Sequence, residues 1–314
     1  MTTLEDARSR IDALRAGASD TERNRKVDAG LCADLARAGT FRMLVPKSLG
    51  GLEVAPRVFA ETLEALARGD AAVAWVAMTG STTGLLSAYL PDEGAEAFFR
   101  DPAGIYAGVF APMGRAIVSD GGFRLTGRWP FTSGVDNAGV RLGGALVFEE
   151  GSKAPRMQTL EDGTTMPEIR SCFVRADQSG IVDTWKTSGL RGTGSHDMVV
   201  EDVFVPDGHT AAIVGARAVR GGAVHRLPLF GLLASGIASV GLGIARAALD
   251  EVKASMHERF LLKELGRLGG GQGELKELRV LNRIIRWTPL GLKYEADPRH
   301  AEILVRGVAG AERA

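Results

Sequence analysis

The rhythm of apolar residues changes twice along the chain, and those changes limit the fold more than any other feature. Up to about residue 100, apolar side chains recur at helical spacing. Val27, Leu31, Leu35 and Ala38 lead up to Gly39, and Phe59, Leu63 and Leu66 lead up to Gly69. Each glycine stands where a helix C-cap is expected. Asp70 is placed to cap the apolar segment Ala71–Leu90, which Pro91 closes. From Gly104 to Pro206 the pattern shortens to β-rich runs broken by turns. These are Gly104–Ala111, Phe123 and Leu125 after the Asp120-Gly121-Gly122 turn, Val140–Phe148, Ile169–Ala176 and Met198–Val205. Helical spacing returns after Asp207. Segregated blocks of this kind predict an α+β fold rather than alternating βαβ units. The expected organisation is an N-terminal helical domain (1–100), a middle, antiparallel-looking β-domain (101–208) and renewed helix from 209.

Lys+Arg and Asp+Glu number 38 each, so no net field recruits nucleic acid or an anionic membrane, and neither is expected as a partner. Cys32 and Cys172 are too few for a disulfide framework, and the opening MTTLEDARSRIDAL is charged and helical. Both features fit a reducing, cytoplasmic setting. Leu227 to Ala245 carries no charged residue and is long enough to cross a bilayer. Pro228, Ser235, Ser239 and four glycines dilute it, however, and predict a bundle helix whose small residues admit close neighbours.

Trp129-Pro130-Phe131-Thr132-Ser133-Gly134 combines aromatic surface with hydroxyls at the end of a strand. Period-two alternation puts Trp129 and Phe131 on one side, and Gly134 leaves the backbone open to close approach. Such a set suits a flat ring with a hydrogen-bonding edge. It also suits a strand with core aromatics entering a turn. Upstream, Gly108–Ala116 reads as an apolar strand, including Val109 and Phe110, that runs into small residues around Gly114. Gly189-Leu190-Arg191-Gly192-Thr193-Gly194-Ser195 is no dinucleotide loop, because a strand follows it where a helix would have to open. Arg191, Thr193 and Ser195 are available there to an anion or a polar substrate edge, and a plain hairpin loop is the other reading. His196 could serve as an acid or base, but a lone loop histidine is more often solvated.

Two segments, Gly127–Asn137 (GRWPFTSGVDN) and Asp183–Pro206 (DTWKTSGLRGTGSHDMVVEDVFVP), resemble the β-domain signatures of the acyl-CoA dehydrogenase superfamily. The resemblance covers about residues 20–256, and it implies an antiparallel β-barrel-like middle domain (101–208), the first part of a C-terminal helical bundle (209–256) and an atypical tail (257–314). Phe-Ala-Pro-Met-Gly at 110–114 and Gly-Leu-Arg-Gly-Thr-Gly-Ser-His-Asp at 189–197 are similar to its flavin-dependent monooxygenase branch. The resemblance implies a flavin, FAD in preference to FMN, against Val109, Phe110, Gly114, Trp129, Phe131, Thr132 and Ser133. It places Arg191, Thr193 and Ser195 near a small-molecule substrate, acyl-CoA or aromatic. It also implies a homo-oligomer, no metal and, for the monooxygenase branch, a flavin reductase as partner.

The implied activity is that of a flavin-dependent oxidoreductase, either an acyl-CoA dehydrogenase or a two-component monooxygenase supplied with reduced flavin. The superfamily's dehydrogenases take their base, a glutamate, from the C-terminal bundle, which must bring it within reach of the substrate. No Asp or Glu lies between Asp207 and Asp250, so no catalytic residue is assigned. Leu281–Val305 resembles a piece of the polyproteins of reverse-transcribing mobile elements. A catalytically silent truncated homologue, or a flavin-binding or oligomerisation module, is the alternative. A curtailed bundle would leave the helix at Leu227–Leu249 with an exposed apolar face that favours self-association.

Overall fold

The computed structural model describes residues 2–267, with side chains described as far as Met256. Contacts divide the chain into two units, Met1–Thr187 with Arg191–Gly243, and Ser188–Leu190 with Ile244–Ala314. The first unit opens with six helices: α1 (Thr3–Ser9), α2 (Ile11–Asn24), α3 (Ala29–Arg37), α4 (Pro56–Gly69), α5 (Ala71–Leu85) and α6 (Asp92–Phe99). Their caps follow the sequence closely. Asp70 accepts hydrogen bonds from the Ala72 and Val73 N–H groups, and Gly39 turns left-handed (φ 80°) just past α3. Gly69 has a different use. It ends α4 without a left-handed turn, and a Cβ there would lie 2.6 Å from Leu14 and 2.8 Å from the Ile11 carbonyl.

The middle of the chain forms a seven-stranded sheet in the order β7-β8-β2-β1-β3-β6-β9. Its strands are β1 (Tyr106–Ser119), β2 (Gly122–Thr132), β3 (Val140–Phe148), β6 (Ile169–Arg175), β7 (Gly180–Val182), β8 (His196–Pro206) and β9 (Thr210–Ala211). Strands β4 (Met157–Thr159) and β5 (Thr165–Pro167) form a small hairpin of their own. The α+β class holds, with two differences from the expected domain. The sheet is mixed, because β1 and β3 pair in parallel, and its edge strands β7 and β9 do not meet to close a barrel. Alternation within a strand cannot reveal which neighbour it will take, so the parallel pair was not readable from the pattern. Strand β1 is also longer than its apolar run. It continues past two register shifts, between Val109 and Pro112 and between Pro112 and Gly114, the mark of bulges that re-aim side chains.

The core of the sheet contains Leu125, Trp129, Val135, Ala145, Val147, Cys172, Val174, Met198 and Val200. Both cysteines are free, and burial pushes each thiol up to about 12, so neither is a ready nucleophile.

Helix α7 (Leu229–Arg267) belongs to the first unit as far as Gly243. By length and composition it could cross a membrane. Its small residues nevertheless serve helix packing in the first unit. A Cβ on Gly236 would strike Met78 and Phe59, and one on Gly243 would strike the Glu64 carbonyl and Ala67. Phe230, Ile237 and Leu242 are exposed. In the second unit the described residues are Ser188–Leu190, where Leu190 takes a positive φ of 50°, and the continuation of α7 from Ile244 to Arg267. The segment at 281–305 lies outside the described residues.

Candidate functional site

The residues singled out in the sequence converge where β2 ends, and the local backbone decides which of them reach the surface. Pairing of β2 with β8 slips between Trp129 and Thr132, and Phe131 adopts a left-handed φ of 63°. The slip breaks the period-two alternation, so Trp129 and Phe131 do not share a side. Trp129 has no exposed surface, and its indole N–H donates to the Gly144 carbonyl at 2.7 Å. Phe131 is 67% exposed. Trp129 is therefore unavailable as a wall for a ligand and instead fills the inside of the sheet. Gly114, buried in β1, exists for the same reason, since a Cβ there would lie 2.3 Å from the indole.

Other residues of the predicted set are spoken for in similar ways. The Thr132 hydroxyl is fully buried and donates to the Trp129 carbonyl at 2.9 Å. Val109 packs against the core of the sheet. Gly134 has a positive φ of 75°, and a Cβ on it would meet Val76 of α5 at 2.8 Å, so its neighbour demands the glycine, not a ligand. Phe110 is partly exposed, and the three residues after it, Ala111, Pro112 and Met113, are exposed on the bulged part of β1.

Ser133 carries the polar part of the site. Its Oγ lies 2.7 Å from Ser195 Oγ, which lies 2.6 Å from Thr193 Oγ1, and the Trp75 indole N–H donates to Ser133 Oγ at 3.1 Å. The Gly134 N–H donates to the Thr193 carbonyl at 2.8 Å, which clamps the end of β2 to the 191–195 loop. That loop is itself seated on helices. Arg191 donates its backbone N–H to Glu22, and Gly192 leaves no room for a Cβ beside Thr21 and Ala72. Thr193 and Ser195 thus join Ser133 in one cluster, whereas Arg191 is anchored through its backbone towards α2. Trp75 was missed by the motif reading. Its signal is a lone large aromatic in a helix otherwise built largely of Ala, Gly, Ser and Thr.

His196 is buried, not solvated, because its pairing with Thr132 carries it beneath the end of the sheet. Its Nδ1 accepts the Trp185 backbone N–H at 3.3 Å and lies 3.4 Å from Asp183, and its Nε2 lies 3.9 Å from Asp136. Arg25, in a left-handed turn after α2, donates two hydrogen bonds to the Asp183 carboxylate and one to the Trp185 carbonyl. The held segment sets the Trp185 ring edge-on to Phe131, with centroids 5.9 Å apart.

The Arg25 guanidinium lowers the Asp183 carboxyl from 3.8 to about 2. A carboxylate with a depressed native pKa stabilises the fold above its unfolded value, and that stabilisation is lost as pH falls from about 3.8 toward 2. Asp183→Asn is therefore expected to be less stable than wild type at pH 5 and to converge with it near pH 2 in denaturant titrations. A gap that is the same at both pH values would contradict the pairing.

The end of β2 combines the exposed Phe131 ring with a set of joined, buried hydroxyls at Ser133, Ser195 and Thr193. This donor set fits a flavin, whose flat ring needs apolar contact on its faces and hydrogen bonds along an edge.

No family model matches the chain. The relatives nevertheless define its class, and the chain belongs to the oxygenase components of flavin-dependent monooxygenases. It is 31% identical over 316 residues to the oxygenase component of the FADH2-dependent resorcinol hydroxylase of a Rhizobium species, an alignment covering 96% of this chain and 71% of that protein. It is 36% identical over 253 residues to the indole-3-acetate monooxygenase of Pseudomonas putida, covering 78% of this chain and 60% of the relative. The chain therefore spans only about 60% of the length of that relative. Among solved structures, the 3-HSA hydroxylase of a Rhodococcus species superposes with a TM-score of 0.75 at 26% identity, over 82% of this chain and 67% of that one. The expected likeness of the tail to mobile-element polyproteins finds no support in these relatives.

Proposed function

We propose that this chain is an oxygenase that receives reduced flavin from a separate reductase and hydroxylates a small aromatic substrate with dioxygen. The observation that carries the proposal is the joined Ser133–Ser195–Thr193 hydroxyl cluster at the end of β2, next in sequence to the exposed Phe131, in a chain of this family. Bound flavin would supply the activation of dioxygen. Phe131 and the Phe110–Met113 segment would hold the ring's faces, and Ser133 would meet its edge. Trp185, held by Arg25 and His196, would support Phe131 at the rim. Arg191 would stand toward the substrate, with Thr193 buried behind Ser195. The FADH2 dependence of the Rhizobium relative favours FAD over FMN. The absence of any Asp or Glu from 208 to 249 gives acyl-CoA dehydrogenation no early base.

The reading is tested by supplying chemically reduced FAD, oxygen and a panel of phenols and indoles, and looking for hydroxylated product. Product from an aromatic substrate supports it. Bleaching of bound oxidised flavin by an acyl-CoA, with no hydroxylation, would replace it with the dehydrogenase reading. Absence of both reactions would favour a silent flavin-binding module.

We also assign the chain to a soluble, cytoplasmic oligomer that self-associates through the exposed side of α7 at Phe230, Ile237 and Leu242. The double substitution Ile237→Glu and Leu242→Glu is expected to reduce the mass measured by light scattering to that of a monomer. A wild-type monomer, or recovery only with membranes, would contradict the assignment.

A further inference from the structure

Ser133 heads a chain of buried hydroxyls whose protons can point either way. Ser133, Ser195 and Thr193 are 4%, 4% and 2% exposed, and successive oxygens are 2.7 and 2.6 Å apart. Each hydroxyl has one proton to donate and two lone pairs that accept. The Trp75 indole N–H can only donate, so it always occupies one lone pair of Ser133. One proton and one lone pair remain on Ser133, and Ser195 uses one of them. When Ser195 donates to Ser133, Thr193 donates to Ser195, and Ser133 keeps its proton for a ligand. When Ser133 donates to Ser195, Ser195 donates to Thr193, and Ser133 keeps a lone pair. Rotating three hydroxyls converts one state into the other without moving a heavy atom.

We propose that Trp75, Ser195 and Thr193 are positioning residues that set the polarity of the Ser133 hydrogen bond, so that Ser133 donates to oxidised flavin and accepts from reduced flavin. The inference rests on the flavin reading above. Two-electron reduction turns an acceptor nitrogen of the flavin ring into an N–H donor. A fixed donor would oppose one redox form, whereas a reversible chain satisfies both.

The chain makes a variant diagnostic. Valine at 193 keeps the shape of threonine but can neither donate nor accept. The state in which Ser195 donates to Ser133 survives that change. The other state leaves a buried Ser195 proton without its acceptor, which is costly. Thr193→Val therefore locks Ser133 as a donor.

The test is the dissociation constant of the full chain for oxidised FAD and, under anaerobic conditions, for dithionite-reduced FAD, read by flavin absorbance and fluorescence. Thr193→Val is expected to weaken reduced FAD about 5- to 10-fold relative to oxidised FAD, the effect of one hydrogen bond of wrong polarity. Thr193→Ser, which keeps the hydroxyl, should leave the ratio unchanged. Adding Trp75→Phe to Thr193→Val returns a lone pair to Ser133 and should restore the ratio, whereas cumulative structural damage would worsen both affinities. Trp75→Phe alone leaves Thr193 intact and keeps the test available if the valine variant does not fold. It is expected to shift the ratio about twofold or more toward reduced FAD. Equal loss of both forms in Thr193→Val, or no recovery in the double variant, would overturn the proposal. Failure of the wild-type chain to bind either form would instead overturn the flavin reading and this inference with it.

Discussion

Trp129→Ala is expected to lose about 3–5 kcal/mol of stability, the range for deleting a fully buried Trp from a core. The indole has no exposed surface and donates to the Gly144 carbonyl at 2.7 Å. Three strands are shaped around it. Cβ atoms on Gly114, Gly127 and Gly143 would lie 2.3, 2.6 and 2.5 Å from its ring atoms. Backbone on β1, β2 and β3 thus comes close enough to leave only an indole-shaped space, and alanine would leave a cavity that the sheet cannot close by small shifts. Against a typical total stability of roughly 5–15 kcal/mol, that loss is large. Phe131→Ala, two residues away, should change stability little, because Phe131 is 67% exposed and gives up little burial. Denaturant midpoints of the two variants check the contrast. Equal and small effects would mean that Trp129 is not the core of the sheet.

Arg42→Met should cost on the order of 3–5 kcal/mol, because it strands several buried acceptors at once. The Arg42 guanidinium is buried and donates to the carbonyls of Leu49, Phe99 and Asp101 and to the Tyr106 hydroxyl. It therefore joins the loop after α3, the end of α6 and the start of β1. Burial pushes the Tyr106 hydroxyl up to about 12 while Arg42 works against that rise, so the tyrosine is a neutral partner throughout the usual pH range. Methionine fills the space without supplying a donor. A melting temperature within a degree of wild type would contradict this account, and Arg42→Lys should recover only part of the loss because a single ammonium cannot span all four acceptors.

These residues show where sequence reasoning succeeded and where it did not. Local signals were reliable: Asp70 caps α5, Gly39 ends α3, and Val140–Phe148 is β3 with the bounds its apolar run suggested. The helical, β and helical blocks were legible because periodicity is a local property. Non-local facts were not. The parallel pairing of β1 with β3, the burial of Arg42 and the seating of Trp75 over Ser133 depend on partners far away in the chain. Within the site, the hydroxyls of Ser133, Thr193 and Ser195 were named from two separate motifs, and the structure joins them. Trp129 was misread for one physical reason. The reading assumed unbroken alternation across Trp129-Pro130-Phe131, and the left-handed Phe131 ends it. His196 was misread because burial beneath a sheet end leaves no mark in a loop's composition.

The most direct test of the central claim is anaerobic titration of the purified chain with reduced FAD, comparing wild type with Ser133→Ala. Saturable binding that Ser133→Ala weakens about 5-fold or more, measured below the melting temperature of the variant so that it stays folded, is the predicted result. Failure of wild type to bind reduced flavin, or binding indifferent to Ser133, would contradict the assignment of this site.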